Sequence, residues 1–365
     1  MTIRSTLALC LLALALAPGC GTGASGPPSG VESSFFGVSP QDPTSDVEIT
    51  RMARGGVGSY HLLISWARVE RTRASYDWSL YDGLMTALAA EGIDPVPYLF
   101  GTSPVFADDP TTPPVRDAAT FNAWTDFVKA AVERYGPNGE LWSLLSRTRP
   151  DIAPNPPQTW EIWNEMNGPA FWEPTPDVDE YARLLKRTAR AITDVDADAR
   201  IMTGGMFATP SSGESILSFE YLEELYAKRG IAKIVDVVGI HPYGPNIGAV
   251  ELQMEEMREV IEAADPDAGM FVTEIGWGSD GEVEGQLSKD PERQAELLGE
   301  VYRTLIERRR EWRLEGALWY TWRDPANAPP NCSWCPSAGL FDRDLDPKPS
   351  WDAFTEVAGG RELED

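Results

Sequence analysis

Two glutamates in this 365-residue chain stand where a carboxyl group can do more than solvate a surface. One lies in Trp160-Glu161-Ile162-Trp163-Asn164-Glu165-Met166-Asn167, the other in Phe271-Val272-Thr273-Glu274-Ile275-Gly276-Trp277. Each stretch opens as an apolar or β-branched run and closes beside a tryptophan. Cleavage of a glycosidic bond needs two carboxyl groups with opposite duties. One stays protonated to donate to the leaving oxygen; the other, ionised, attacks the anomeric carbon or activates water. A lone glutamate among 57 acidic residues reads as a solvated charge, but a pair at two strand ends flanked by Trp reads as chemistry. Glu165 and Glu274 are the candidates. If the extended backbone continues through Glu165, alternation puts Glu161, Trp163 and Glu165 on one face and Asn164 on the other.

The elements that must hold this pair follow one repeating pattern: a short apolar run, a polar loop, an amphipathic stretch. Strands are expected to begin near Phe35, Gly58, Pro95, Thr159, Arg200, Ile234, Met270 and Gly316, about 40 residues apart. Eight such βα units make an α/β protein with one closed (β/α)8 TIM barrel, spanning residues 33–360. An open doubly wound sheet would want a Gly-rich phosphate turn after its first strand, and Phe36-Gly37-Val38-Ser39-Pro40 offers none. In a barrel, chemistry sits at the carboxyl ends of the strands. Strands four and seven lie three apart in a ring of eight, so their glutamates face each other across the mouth. Helices are expected from Asp77-Trp78-Ser79 to Gly92, from Asp117 to Gly136, and over Arg293 to Arg310. The Pro-rich segment 137–157 reads as a loop bracing the opposite, amino-terminal face.

With these residues in place a resemblance can be named. Trp163-Asn164-Glu165-Met166-Asn167 resembles the Trp-Asn-Glu-Pro/x-Asn signature of the clan of (β/α)8 retaining glycoside hydrolases, and Val272 to Trp277 resembles that clan's nucleophile strand. The chain is most similar to family 39, with its xylosidases and exopolysaccharide-cleaving members, and to the cellulase-like family 5. The likeness runs from about Phe36 to Phe354 and takes in Trp66 to Trp78, Tyr135-Gly136-Pro137 and Gly339-Leu340-Phe341 with Lys348-Pro349. It implies Glu165 as acid/base, Glu274 as nucleophile and retention of anomeric configuration. It further implies that Asn164 bonds the sugar 2-hydroxyl and that Tyr243, in His241-Pro242-Tyr243, contacts the nucleophile. His241 would belong to the same site, and Trp322 would form a platform under the cleaved sugar. Trp66, Trp172 and Trp277 are either further platforms or core. The clan commonly has Pro where Met166 stands, and Arg on the second strand where Tyr60-His61-Leu62 puts His61. His61 is then expected to support Glu274, with activity favoured at acidic pH because a histidine's charge depends on pH near neutrality. No metal or organic cofactor is implied.

Composition narrows the partners. With 31 basic against 57 acidic residues the chain carries −26, a surface that repels phosphate backbones and anionic headgroups. Nucleic acid is therefore not an expected partner, and a neutral carbohydrate is. Two histidines, His61 and His241, cannot make a three-histidine zinc site. Residues 1–20 read as a signal peptide: Arg4, then an apolar run from Leu7 to Ala17, too short to span a bilayer. Residues 21–32 read as a Gly/Ser/Pro tether. Pro18-Gly19-Cys20 resembles a lipoprotein processing site, although Ala17 holds the place usually given to Leu. Cysteine parity favours lipidation: with Cys10 removed and Cys20 acylated, Cys332 and Cys335 remain as a pair. Cys332-Ser-Trp-Cys335 has no second CxxC and no thioredoxin-like context, so a disulfide is expected in an exported chain. The chain is expected to be a cell-surface lipoprotein or secreted, its only membrane contact that anchor. Two further readings use the same residues: a surface glycan-binding barrel that has lost turnover, and a transglycosylase.

Overall fold

The computed structural model describes residues 26–208, 213–281, 286–329 and 332–361. Parallel strands form one closed barrel inside a ring of helices: β1 (Phe36–Val38), β2 (Ser59–Ser65), β3 (Asp94–Phe100), β4 (Thr159–Ile162), β5 (Arg200–Thr203), β6 (Val237–His241), β7 (Gly269–Ile275) and β8 (Leu314–Trp319). Each strand pairs with the next, and β1 pairs with β8 to close the ring. The chain is a single TIM barrel, as the spacing of apolar runs predicts. Parallel strands buried on both faces read as continuous apolar stretches, which is why their starts were visible.

The barrel floor is apolar. Val96, Met202, Val237, Phe271 and Leu318, from five different strands, pack together inside it. Toward the carboxyl ends, above this plug, His61, Glu161, His241 and Glu274 line the mouth. The helices carry the expected signals. Asp117 caps Ala118–Tyr135 by accepting from the backbone N–H of Ala119 and Thr120. Helix Ser79–Glu91 stops at Gly92, whose φ of 69° suits glycine. The segment 137–157 differs from its expectation, because it contains a helix, Glu140–Thr148, that buries Leu141, Trp142 and Leu145.

Two irregularities shape the mouth. After Thr203 the fifth strand breaks at Gly204-Gly205 and resumes as Met206–Phe207, which pairs with Ile240 and His241 of β6. Only glycine fits at 205, since a Cβ there would overlap His241 Nε2 and Thr273 Oγ1. In β7 the register against β8 shifts between Val272 and Ile275. Such a bulge re-aims side chains, and here the adjacent residues Thr273 and Glu274 both bond groups at the mouth.

Candidate active site

The strand does not continue to Glu165. β4 ends at Ile162, and Trp163 and Glu165 take left-handed backbone conformations, with φ of 72° and 41°. Non-glycine residues there cost of order 1–3 kcal/mol each and persist only where neighbours over-determine them. The neighbours are specific. Trp163 N–H donates to Leu99 O (2.9 Å) and its indole to Phe171 O (2.7 Å), while Glu165 N–H donates to Gly205 O (2.9 Å). The alternation expected for Glu161, Trp163 and Glu165 is therefore lost. Trp163 turns into the core against Phe100, Trp124 and Trp172. Glu161 points into the barrel, and Glu165 reaches the mouth.

Glu165, His241 and Glu274 converge, with one donor atom of each within 4.8 Å of the others. His241 Nδ1 lies 2.8 Å from Glu165 Oε1 and 3.7 Å from Glu274 Oε2, and Nε2 bonds Thr273 Oγ1 at 3.0 Å. Burial pulls the imidazole down, but the facing carboxylates Glu274, Glu165 and Glu161 outweigh it and raise the pKa to about 9. At neutral pH the ring is a cation donating to Glu165. This trio has the donor types of a divalent-cation site, and the imidazolium places a positive charge between the carboxylates itself. Glu165 is held above the ordinary carboxylate range, chiefly by burial, with His241 opposing and Glu274 reinforcing. Tyr243 donates its phenol to Glu274 Oε2 at 2.8 Å. Asn164 is buried and its side-chain oxygen has no hydrogen-bond partner among the described residues.

His61 is not where the second-strand expectation put it. It makes no direct contact with the Glu274 carboxylate. Its Nε2 faces Glu161 Oε2 at 2.7 Å, its Nδ1 bonds Ser39 Oγ at 2.9 Å, and Ser39 makes a long 3.5 Å bond to Glu274 Oε1. Glu161 in turn accepts from Gly205 N–H at 2.6 Å. The imidazole expected to support the nucleophile is directed at a second buried carboxyl group instead. Tyr98 stacks on His61 with centroids 4.3 Å apart.

The four tryptophans considered as platforms are all at 0% exposure. The Trp66 indole donates to Glu70 and packs on Phe106 and Phe127; that of Trp277 donates to Gly244 O; that of Trp322 donates to Glu48 beside Phe341 and Trp351. Trp172 lies between Trp163 and Tyr181. A ring with no exposed face cannot stack on a sugar, so these are core residues. At the end of β8 it is Tyr320, three residues after Ala317, that senses the charges of Glu274 and Glu165. Ser39, Glu161, Tyr98, Thr273 and Tyr320 were missed as site residues, though reading the residue just after each strand would have found Ser39 and Tyr320. Cys332 and Cys335 form a disulfide with Cα atoms 5.5 Å apart. Cys20, the signal segment and residues 21–25 of the tether lie outside the described residues. No helix among the described residues is long and apolar enough to cross a membrane.

No family model matches the chain. An intracellular exo-α-(1→5)-L-arabinofuranosidase from Streptomyces lividans is 32% identical over 117 residues, which is 32% of this chain and 16% of that protein. Among solved structures, a family 39 glycoside hydrolase from Bacteroides cellulosilyticus WH2 superposes with TM-score 0.65 at 21% identity, covering 90% of this chain and 65% of its own. A monomeric β-xylosidase from Caulobacter crescentus CB15 superposes with TM-score 0.64 at 22% identity, covering 92% and 69%. The structural neighbours of this barrel are family 39 and related (β/α)8 glycoside hydrolases.

Proposed function

We propose that this chain is a retaining glycoside hydrolase working by double displacement. The observation that carries the reading is the approach of Glu165 and Glu274, whose nearest carboxylate oxygens lie within 4.8 Å. Retaining pairs stand about 5–5.5 Å apart, whereas inverting pairs need about 6.5–9.5 Å to admit a water. The environments are also unequal, as opposite duties require. Glu165, raised by burial, protonates the leaving oxygen; Glu274, oriented by Tyr243, attacks the anomeric carbon. Glu165 then takes a proton from water, which releases the sugar. His241 holds Glu165 in line and offsets part of the negative charge of the pair. The unpartnered oxygen of Asn164 is suited to a sugar hydroxyl. The relatives' substrates, xylosides and arabinofuranosides, make neutral pentosides the first class to assay.

The same proposal includes export, with Cys20 lipidated after cleavage of residues 1–20; metabolic labelling with a fatty acid and its loss in Cys20→Ala tests that part. The catalytic assignment is tested with azide. Glu165→Ala on an activated aryl glycoside should yield a glycosyl azide of retained configuration, and Glu274→Ala one of inverted configuration. Unchanged turnover in either variant refutes its role.

A further inference from the structure

The Cys332-Ser-Trp-Cys335 loop has no part in the double displacement, yet it is built against the site. Of the thirteen tryptophans, only Trp78 and Trp334 are not buried, and Trp78 stacks on Phe127 among the helices. Trp334 packs on Tyr243 at 5.0 Å between centroids and on Tyr320 at 5.5 Å. Tyr243 is the residue that bonds Glu274, so one ring separates Trp334 from the nucleophile.

The loop is also fixed. The disulfide closes it, and Ser337 O accepts from Ser279 N–H and from Lys348 Nζ, each at 3.0 Å. Ala338 O accepts from Thr321 N–H and the Trp319 indole, each at 3.2 Å. These bonds tie it to the segments that follow β7 and β8. Gly278 leaves room for it, since a Cβ there would sit 2.6 Å from Trp334 O. A partly exposed indole on so rigid a support is preorganised to receive a flat apolar surface.

We propose that Trp334 is the stacking wall of a further sugar subsite, occupied by the unit adjoining the cleaved one in an oligosaccharide, and that the Cys332–Cys335 disulfide sets its position. The C–H face of a neutral sugar is the surface that fits an indole. Asp42, whose charge reaches Tyr320, disfavours a uronate, while Asp324 near the loop is neutralised by Lys348 at 2.6 Å. The proposal rests on the reading of Glu165 and Glu274 as the catalytic pair.

The test compares an aryl monoglycoside with di- and trisaccharides of the same sugar, using the full chain, Trp334→Ala, Trp334→Phe and Cys332→Ser/Cys335→Ser. In Trp334→Ala, kcat/KM should fall about tenfold more on the oligosaccharides than on the monoglycoside. Trp334→Phe should recover most of that loss, and the double serine variant should fall between. The same series in a Glu165→Ala background, titrated with trisaccharide by calorimetry, reads binding without turnover and should show Kd raised about tenfold in Trp334→Ala. An oligosaccharide-to-monoglycoside ratio within twofold of the parent, with unchanged Kd, overturns the subsite. Failure of the catalytic reading shows differently, as turnover surviving in Glu165→Ala or Glu274→Ala.

Discussion

Removing His61 should cost more than a hydrogen bond. Glu161 is at 0% exposure, and its two oxygens have one partner each: Gly205 N–H at 2.6 Å and His61 Nε2 at 2.7 Å. His61→Leu removes the imidazole and leaves a buried carboxylate with a single backbone donor. Breaking a buried pair on one side costs about 3–5 kcal/mol, whereas replacing both partners with apolar groups of similar volume is often nearly neutral. The double variant His61→Leu/Glu161→Met should therefore recover most of the loss and unfold within about 1–2 kcal/mol of the parent. Urea unfolding followed by tryptophan fluorescence and far-UV circular dichroism measures all four corners of the cycle. The single variant should also lose roughly 4–7 °C in Tm. Activity should not follow stability. Gly205 O holds the Glu165 backbone, and Ser39 stands between His61 and Glu274, so kcat of the refolded double variant should stay at least about tenfold down. If His61→Leu is no less stable than the double variant, the idea that Glu161 depends on His61 is wrong.

Other outcomes follow from the same arrangement of groups. Tyr243→Phe should lower kcat about 10- to 100-fold with little change in KM, the worth of one hydrogen bond to a carboxylate, read by steady-state kinetics. His241 has a folded pKa of about 9 against 6.5 unfolded, so its contribution to stability is complete below pH 6.5 and lost as pH rises through 9. Melting temperatures from pH 6 to 10 should decline across that window, and His241→Asn should flatten the decline. Glu165→Ala should cost about 10²–10⁴-fold on a substrate with a poor leaving group, and far less on a dinitrophenyl glycoside that needs no acid. Trp66→Ala should destabilise by about 3–5 kcal/mol while turnover per folded molecule stays the same, since the ring is core; a selective loss in kcat would restore it as a platform.

The barrel was legible because the physics that builds it is local and repetitive. Apolar runs begin at Thr159 and Arg200 as expected, and within about two or three residues of expectation at the other six strands. Caps such as Asp117 and stops such as Gly92 announced the helices. The helix Glu140–Thr148 was hidden by the prolines around it, although Leu141, Trp142 and Leu145 have helical spacing. At the site, motif residues Glu165, Glu274, His241 and Tyr243 were readable because chemistry restricts their type. Burial is another matter. Trp66, Trp172, Trp277 and Trp322 sit in the right stretches, but whether a ring shows a face to solvent depends on residues far away in sequence, such as Glu48 beside Trp322. The partnership of His61 with Glu161 spans 100 positions, and the left-handed turn that separates Glu165 from Glu161 is one that alternation could not foresee.

Gly205 gives the site a single point of adjustment. Its N–H holds Glu161, which reaches Glu274 through His61 and Ser39, and its carbonyl holds the backbone of Glu165. The two carboxyl groups proposed as proton donor and nucleophile thus both trace back through hydrogen bonds to one residue of the main chain, so a displacement there would be felt by both. An engineer changing sugar preference should leave this fulcrum alone and vary the loops around the mouth, where new contacts can be added without altering the gap in which the bond is broken.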